Sequence, residues 1–180
     1  MAHVITVLAE GFEEVEAVTP VDLLRRARIQ VSVLGLNSLA IRGAHGLILS
    51  ADSLFETFVE SADGIILPGG QPGTTNLANS PIVIEKVKDL FSRGKMCAAI
   101  CAAPSVFAKA GILKGLKATC YPSARENITE SFYIEQSVVC DKNVITSRGA
   151  GTAIDFSLEI IKYLTDSKTS EEIKKAIIYN

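Results

Sequence analysis

The sequence predicts an α/β fold, in which a mostly parallel sheet is covered by helices on both faces. Short apolar runs rich in β-branched residues, such as HVITVLA (3–9) and DGIILPGG (63–70), are typical of strands that are buried on both faces. Segments with a helical spacing of apolar residues lie between these runs. Strands that alternate with crossover helices form parallel sheets, so the order of the segments indicates the fold class.

The elements follow from the same patterns, taken in chain order. The predicted strands are 3–9, 29–36, a short edge or hairpin strand at 47–50, 63–70, 96–100, 117–122 and two strands within 137–147 that flank a turn at 141–143. The predicted helices are 13–27, 82–93, 102–111, 151–164 and a last short one at 170–180. We expect a kink or break at Pro20 in the first helix, and Ser170 as the N-cap of the last.

Composition and charge limit the function classes. The 180 residues suit one domain over 1–180, with 48% hydrophobic and 21% charged residues and no low-complexity tract. The formal net charge of −2 gives no electrostatic basis for binding nucleic acid or an anionic membrane. No apolar run reaches membrane-spanning length, and the N-terminal segment turns acidic where a signal peptide would have its cleavage site. We expect a soluble, cytoplasmic protein.

The cysteine and histidine spacing predicts neither a disulfide scaffold nor a structural zinc site. The four cysteines, none of them in a C-x-x-C pair, are Cys97, Cys101, Cys120 and Cys140. His3 and His45 are far apart, and His45 is interpreted as a surface loop residue. We therefore expect reduced thiols, no metal and no cofactor, with Cys97 in the core and Cys120 at a strand end near the site.

Three predicted strand ends carry unusual residues: LAEGFEEVE, LPGGQPG and AICAAP. Sites in parallel α/β sheets form beyond the carboxyl ends of the strands, so these three segments are expected to converge on one crevice. The convergence is the main argument from the sequence for a catalytic site.

Cys101 lies where an apolar strand turns into a helix, among alanines. Free backbone N–H groups and the helix dipole at such a turn favour a thiolate and lower the pKa of the cysteine. The arrangement is similar to the nucleophile elbow of hydrolases, although the glycines of that motif are missing. A buried structural thiol is the alternative, and the turn alone leaves both interpretations open.

The other two strand ends supply acids and glycines. A carboxyl group of Glu16 buried near a thiolate would have a raised pKa and could act as a proton donor or general base, whereas a solvated acidic first turn would explain Glu13 and Glu14. The backbone N–H groups of Gly69 and Gly70 could stabilise an oxyanion, or the glycines could serve only a tight turn.

Four segments together resemble the ThiJ/PfpI superfamily, and more narrowly the branch of the Parkinsonism-associated protein deglycase and its bacterial homologues. These segments are LAEGFEEVEAVTPVDLLRRA, LPGGQPGTTNL, AAICAAPSVFAKAGIL and ITSRGAGTAIDFSLEII. They cover nearly the whole chain in the family's order. The resemblance implies a flavodoxin-like α/β sandwich and a homodimer.

The resemblance also implies site residues. Cys101 matches the family's oxidisable nucleophile, and Glu16 matches the glutamate that hydrogen-bonds it as a carboxylic acid. Gly69 and Gly70 match the glycines of the oxyanion hole, and Ala102 matches the position that supplies a second backbone N–H.

Three supporting positions follow from the same resemblance, together with two departures from it. Glu13 and Arg148 match an interacting pair near the site and the dimer interface. The protease-like branch has a histidine where this chain has Ala102, and some relatives have a histidine where this chain has Tyr121. A Cys-His peptidase mechanism is therefore not expected, and Tyr121, water or Glu16 would have to move protons.

Two functions follow as hypotheses. The first is a cysteine-dependent glyoxalase or deglycase that acts on methylglyoxal or on its early adducts with amines and thiols. The second is a redox sensor or redox-regulated chaperone, in which Cys101 is oxidised during oxidative stress.

Overall fold

A seven-stranded sheet lies at the centre of the molecule, for which a computed structural model describes all of residues 1–180. The strands in chain order are β1 (His3–Leu8), β2 (Gln30–Gly35), β3 (Ala40–Arg42), β4 (Ile48–Ser50), β5 (Ser53–Leu54), β6 (Gly64–Leu67), β7 (Met96–Ile100), β8 (Lys117–Ala118), β9 (Phe132–Tyr133), β10 (Val138–Asp141) and β11 (Val144–Ser147). The order in the sheet is β10-β11-β7-β6-β1-β2-β5, and every pair is parallel except β10 with β11. The predicted α/β class and the mostly parallel sheet are confirmed.

Helices cover both faces of this sheet. They are α1 (Glu14–Arg26), α2 (Gly73–Asn79), α3 (Pro81–Ser92), α4 (Pro104–Lys109), α5 (Ala153–Leu164) and α6 (Ser167–Ala176). None of the six is both long enough and apolar enough to cross a bilayer.

Two hydrophobic cores lie on opposite sides of the sheet, because side chains alternate along each strand. On β7, Cys97 and Ala99 pack into the core beneath α3 and α4, whereas Met96, Ala98 and Ile100 pack into the core beneath α1 and α5. All five residues are fully or almost fully buried. The run MCAAI therefore has no polar position, as expected for a strand covered on both faces.

Helix α1 runs without a break through Pro20, where a kink or a break was expected. Proline removes one backbone donor from the helix. The buried face of α1, which includes Leu23 and Leu24, packs against α5 and the sheet. This tertiary contact holds the helix together at a position where the local sequence favours an interruption.

The C-terminal helix begins earlier than predicted, and the assignment of Ser170 as its N-cap is wrong. Asp166 caps α6, because its Oδ1 accepts a hydrogen bond of 2.7 Å from the Thr169 N–H. Ser170 lies inside the helix and is buried, and its hydroxyl donates to the Leu158 carbonyl at 2.9 Å. This hydrogen bond links α6 to α5.

Helix α2 and the short strands β3, β5 and β9 were not predicted. Strand β3 pairs with β4 in an antiparallel hairpin. The strand expected at 117–122 is reduced to the two residues of β8, followed by a 3₁₀ turn at 122–127.

The strand order brings the three unusual strand ends side by side. Strands β7, β6 and β1 are consecutive neighbours and run parallel, so their carboxyl ends meet at one edge of the sheet. The residues that follow them are Cys101, Gly69 with Gly70, and the start of α1.

Candidate active site

Cys101 lies in a sharp turn between β7 and α4. Its φ angle is +64°, a left-handed conformation that is rare for a residue with a side chain and costs on the order of 1–3 kcal/mol. Two backbone hydrogen bonds hold it there: its N–H donates to the Ser147 carbonyl at 2.9 Å, and its carbonyl accepts from the Tyr121 N–H at 2.8 Å. The half-buried cysteine is thus fixed in the strained geometry of a nucleophile elbow.

Glu16 reaches the same place from α1. Only 1% of the residue is exposed, and its Oε2 accepts a hydrogen bond of 2.8 Å from the Gly69 N–H. Burial raises the pKa of Glu16 to about 7, and the negative charge of Glu13 adds to the rise. Hydrogen bonds from Gly69 and Cys101 act in the opposite direction and lower the pKa, but they do not outweigh burial. Glu16 is therefore an acid that can hold or release a proton near neutral pH.

Close packing explains the first of the two glycines after β6. A Cβ atom on Gly69 would lie 2.7 Å from Cys101 Cβ and 2.8 Å from Glu16 Oε2, so no side chain fits between nucleophile and acid. The Gly69 N–H is already used by Glu16. Gly69 therefore orients the carboxyl group, and its N–H is not free for an oxyanion.

Gly70 and Ala102 direct their backbone N–H groups at the Cys101 sulfur, where both lower its pKa. Gly70 has a φ angle of +89°, which favours glycine at this position. Two free donors therefore lie where negative charge on sulfur, or on an oxygen bound next to it, would develop.

The expected lowering of the Cys101 pKa is not found. Burial raises the pKa of Cys101 to about 12, and the ionised carboxylate of Glu16 adds to the rise. Helix α4 begins only at Pro104 and has six residues, so its dipole acts weakly on the sulfur. Desolvation of the thiolate outweighs the two N–H donors.

Cys101 and Glu16 titrate as a coupled pair, because the charge of each disfavours the charge of the other. The pKa of Glu16 is the lower of the two, so the first proton leaves the carboxyl group, and the resulting carboxylate can then take up the proton of the Cys101 thiol. A protonated Glu16 removes its repulsion of the thiolate and can donate a hydrogen bond to the sulfur. The pair therefore has a state in which the thiolate and its proton donor are in contact.

Within one chain, the two charged supporting residues contact other side chains. Glu13 lies 3.3 Å from His45, while Arg148 forms an ion pair with Glu135 at 3.2 Å, so Glu13 and Arg148 do not pair within the chain. Tyr121 is half-exposed, and its ring carbon Cδ2 lies 3.4 Å from where a Cβ on Gly149 would be.

None of the other three cysteines forms a side-chain hydrogen bond with Cys101 or Glu16. Cys97 is buried in the core beneath α3 and α4, as predicted. Cys120 is also fully buried, next to Tyr121 in the chain, and Cys140 is exposed on β10. All four cysteines are free thiols.

One group of residues beside the site was not predicted from the sequence. His45 is exposed, as predicted, but its Nδ1 lies 3.0 Å from Oε2 of the buried Glu14 and 3.3 Å from Oε2 of Glu13. These three side chains could hold a metal ion. No local pattern predicts the contact, because His45 comes from the loop between β3 and β4.

Comparison with known proteins identifies the family of the chain. The model of the DJ-1/PfpI family matches residues 2–163. Protein dj-1beta of Drosophila melanogaster is 38% identical over 97% of this chain and 95% of its own length. The Parkinson disease protein 7 homolog of Danio rerio is 37% identical over 97% and 95%. The glutathione-independent glyoxalase DJR-1.2 of Caenorhabditis elegans is 33% identical over 93% and 91%.

Solved structures give the same result. The crystal structure of Drosophila melanogaster DJ-1beta aligns with a TM-score of 0.95 at 36% identity, covering 99% of this chain and 98% of that one. Oxidised Toxoplasma gondii DJ-1 aligns with a TM-score of 0.96 at 32% identity, covering 99% of both chains. With nearly full coverage in sequence and in structure, this flavodoxin-like chain belongs to the DJ-1/PfpI family.

Proposed function

We propose that the protein is a cysteine-dependent enzyme that converts an α-oxoaldehyde such as methylglyoxal, or its early adducts on amines and thiols, into a hydroxy acid. The observation that carries the proposal is the contact of the Cys101 thiol with a buried carboxyl group, Glu16, whose pKa of about 7 suits proton transfer. The relative named as a glutathione-independent glyoxalase supports the same reaction class.

The reaction starts with attack of the Cys101 thiolate on the aldehyde carbon. A sulfur–carbon bond forms, the carbonyl π electrons move to oxygen, and a proton from Glu16 neutralises the oxyanion to give a hemithioacetal. The N–H groups of Gly70 and Ala102 stabilise the charge on oxygen as it develops. Gly69 keeps its N–H on Glu16 and holds that carboxyl group in place.

Glu16 then moves a proton between the two carbon atoms of the substrate. As a carboxylate it removes the proton from the carbon bound to sulfur, and as an acid it returns a proton to the neighbouring carbon, while the hydroxyl proton of the first carbon passes to the oxygen of the second. The product is a thioester of Cys101, which water hydrolyses to the hydroxy acid and the free thiol. The net reaction adds one water molecule and needs no external oxidant or reductant.

No histidine takes part in this scheme, so we propose no Cys-His peptidase activity. Ala102 follows the nucleophile directly. His45 is paired with Glu13 and Glu14, and His3 begins β1, at the opposite end of the strand from the site. We assign Tyr121, which is half-exposed and bonded through its N–H to the Cys101 carbonyl, to the substrate side of the site.

The direct test is conversion of methylglyoxal by Cys101→Ser, with Cys140→Ser as a control that removes an exposed thiol elsewhere. We expect Cys101→Ser to fall to the uncatalysed rate and Cys140→Ser to keep the wild-type rate. Unchanged conversion by Cys101→Ser would rule the proposal out. Running the same assay on a glycated peptide decides between free aldehyde and adduct as the better substrate.

The second candidate function is that of a redox sensor or redox-regulated chaperone, in which Cys101 senses oxidants. The two N–H donors and protonated Glu16 around the sulfur would stabilise a sulfinate through charge-assisted hydrogen bonds. An oxidised structure of a relative, Toxoplasma gondii DJ-1, supports this role. Intact-mass measurement after mild peroxide is the test. Oxygen addition spread evenly over all four cysteines would contradict it.

We further propose a homodimer that forms through α1 and works in the cytoplasm. Val15 and Val18 on α1 are 48% and 45% exposed, and Leu47 and Ile48 beside β4 are 61% and 56% exposed. Large apolar side chains exposed on neighbouring elements are typical of a protein interface. Light scattering on the wild type and on Val18→Glu tests the dimer, and the four free thiols fit a reducing compartment.

A further inference from the structure

Three potential metal ligands meet at the start of α1. His45 Nδ1 lies 3.0 Å from Glu14 Oε2 and 3.3 Å from Glu13 Oε2, and all three ligand atoms lie within 4.8 Å of one another. Ligand atoms of a tetrahedral zinc site are separated by about 3.3 Å, given bond lengths near 2 Å. The side chains are thus already close to the spacing that zinc requires.

The buried member of the group is fixed in place. Glu14 Oε1 accepts hydrogen bonds from the backbone N–H groups of His45 at 2.8 Å and Leu47 at 3.3 Å. A Cβ atom on Gly43 would collide with this carboxylate, so the loop between β3 and β4 is closely fitted around it. These contacts orient the Glu14 carboxylate through Oε1 and leave Oε2 to bind a metal ion. Hydrogen bonds from residues around a metal site commonly orient its ligands in this way.

Glu13 is fixed through its backbone, since its N–H donates to the Gly69 carbonyl at 2.9 Å. The side chain of His45 is 72% exposed, which leaves a path for an ion from solvent. Neither Glu13 nor Glu14 has an ion pair with a lysine or arginine, so His45 alone can compensate the two carboxylates. A zinc ion can replace the proton on Nδ1 and compensate both charges.

We propose that Glu13, Glu14 and His45 form a zinc-binding site, with two carboxylate oxygens and one imidazole nitrogen as ligands and water in the fourth position. Borderline-soft zinc accepts this mixture of nitrogen and oxygen, whereas magnesium and calcium prefer oxygen alone. The site differs from the cysteine-based zinc site that the sequence excludes, because its ligands come from a helix start and a distant loop.

Zinc binding is measured by competition with a chromophoric chelator, in a Cys101→Ser, Cys140→Ser parent that lacks the two thiols not fully buried. We expect one zinc ion per chain, with an affinity at least about tenfold weaker in His45→Asn and in Glu14→Gln. Glu171→Gln, which removes an exposed carboxylate on α6, serves as the matched control and should equal the parent. Equal affinity in His45→Asn and the parent, or no competition at all, would overturn the site. His45→Asn decides the outcome if Glu14→Gln fails to fold.

Discussion

Glu14 and Glu16 lie two residues apart on α1 and are both buried, yet folding shifts their pKa values in opposite directions. They are 5% and 1% exposed. Burial raises the pKa of Glu16 to about 7. Burial is also the largest single influence on Glu14, but hydrogen bonds from His45, from its own backbone and from Leu47 together outweigh it, and the pKa of Glu14 is lowered. Hydrogen bonds outweigh burial at Glu14, whereas burial outweighs hydrogen bonds at Glu16, so the balance of the two effects decides the charge of each group.

The difference in pKa gives the two residues different roles: Glu14 is structural and Glu16 is reactive. Glu14 is held as a carboxylate by the loop that follows β3, and it fixes that loop in return. Glu16 has one backbone donor, Gly69, and faces a thiol, so its proton remains exchangeable near neutral pH. Four predictions test this contrast.

The largest effect is expected in catalysis. Glu16→Gln keeps the shape of the side chain but removes the proton that we propose to be transferred, so methylglyoxal conversion should fall by roughly 10²–10⁴-fold. Glu14→Gln should reduce it by less than about tenfold, because that side chain does not reach the sulfur. Steady-state rates of the two variants test this difference. Similar losses of activity in both variants would contradict the separate roles of Glu14 and Glu16.

The next effect concerns stability against pH. A carboxyl group whose pKa rises on folding favours the folded state at low pH, and this contribution disappears as the pH rises from 4.5, the ordinary value, to about 7. The loss for Glu16 corresponds to roughly 3 kcal/mol. Urea unfolding at several pH values should show this decline in wild type and a flatter curve in Glu16→Gln. Parallel curves would mean that Glu16 titrates as in the unfolded chain.

A third prediction concerns the space between the acid and the nucleophile. Gly69→Ala places a methyl group 2.7 Å from Cys101 Cβ and should lower the free energy of unfolding by about 1–3 kcal/mol. Gly151→Ala is the matched control, because a Cβ there meets no atom within 4 Å. Urea midpoints of the two variants test the packing. A stable Gly69→Ala protein with unchanged Cys101 alkylation would contradict the close fit.

The smallest effect is expected for the contact between His45 and the Glu14 carboxylate, and it concerns the free energy of unfolding. The hydrogen bond to Glu14 raises the pKa of His45, so the charged pair stabilises the fold below pH 6.5 and weakens as the pH rises through the folded value. The difference in unfolding free energy between wild type and His45→Asn should therefore be larger at pH 6 than at pH 9. A difference independent of pH would show that the ring contributes only by packing.

Most of the fold could be predicted from the sequence because it rests on local patterns. The continuous apolar run of β7 and the periodic apolar residues of α5 are visible in short windows, and both elements were placed correctly. Ser170 was misassigned as a cap because a serine before acids is typical of an N-cap, whereas Asp166 holds that position. Helix α1 continues through Pro20 because it packs against α5, and a short stretch of sequence gives no information about that contact.

For the candidate site, the sequence by itself determined which residues are present and in which order: a cysteine after a buried strand, a glutamate on the first helix, and a glycine pair after β6. Only the tertiary structure decided what each group does. In the folded protein the Gly69 N–H bonds to Glu16, and burial raises the pKa of Cys101 instead of lowering it. His45 lies beside Glu13 and Glu14. The physical reason is that charge, desolvation and hydrogen bonding act across space, between residues from separate strands and loops that the linear order does not bring together.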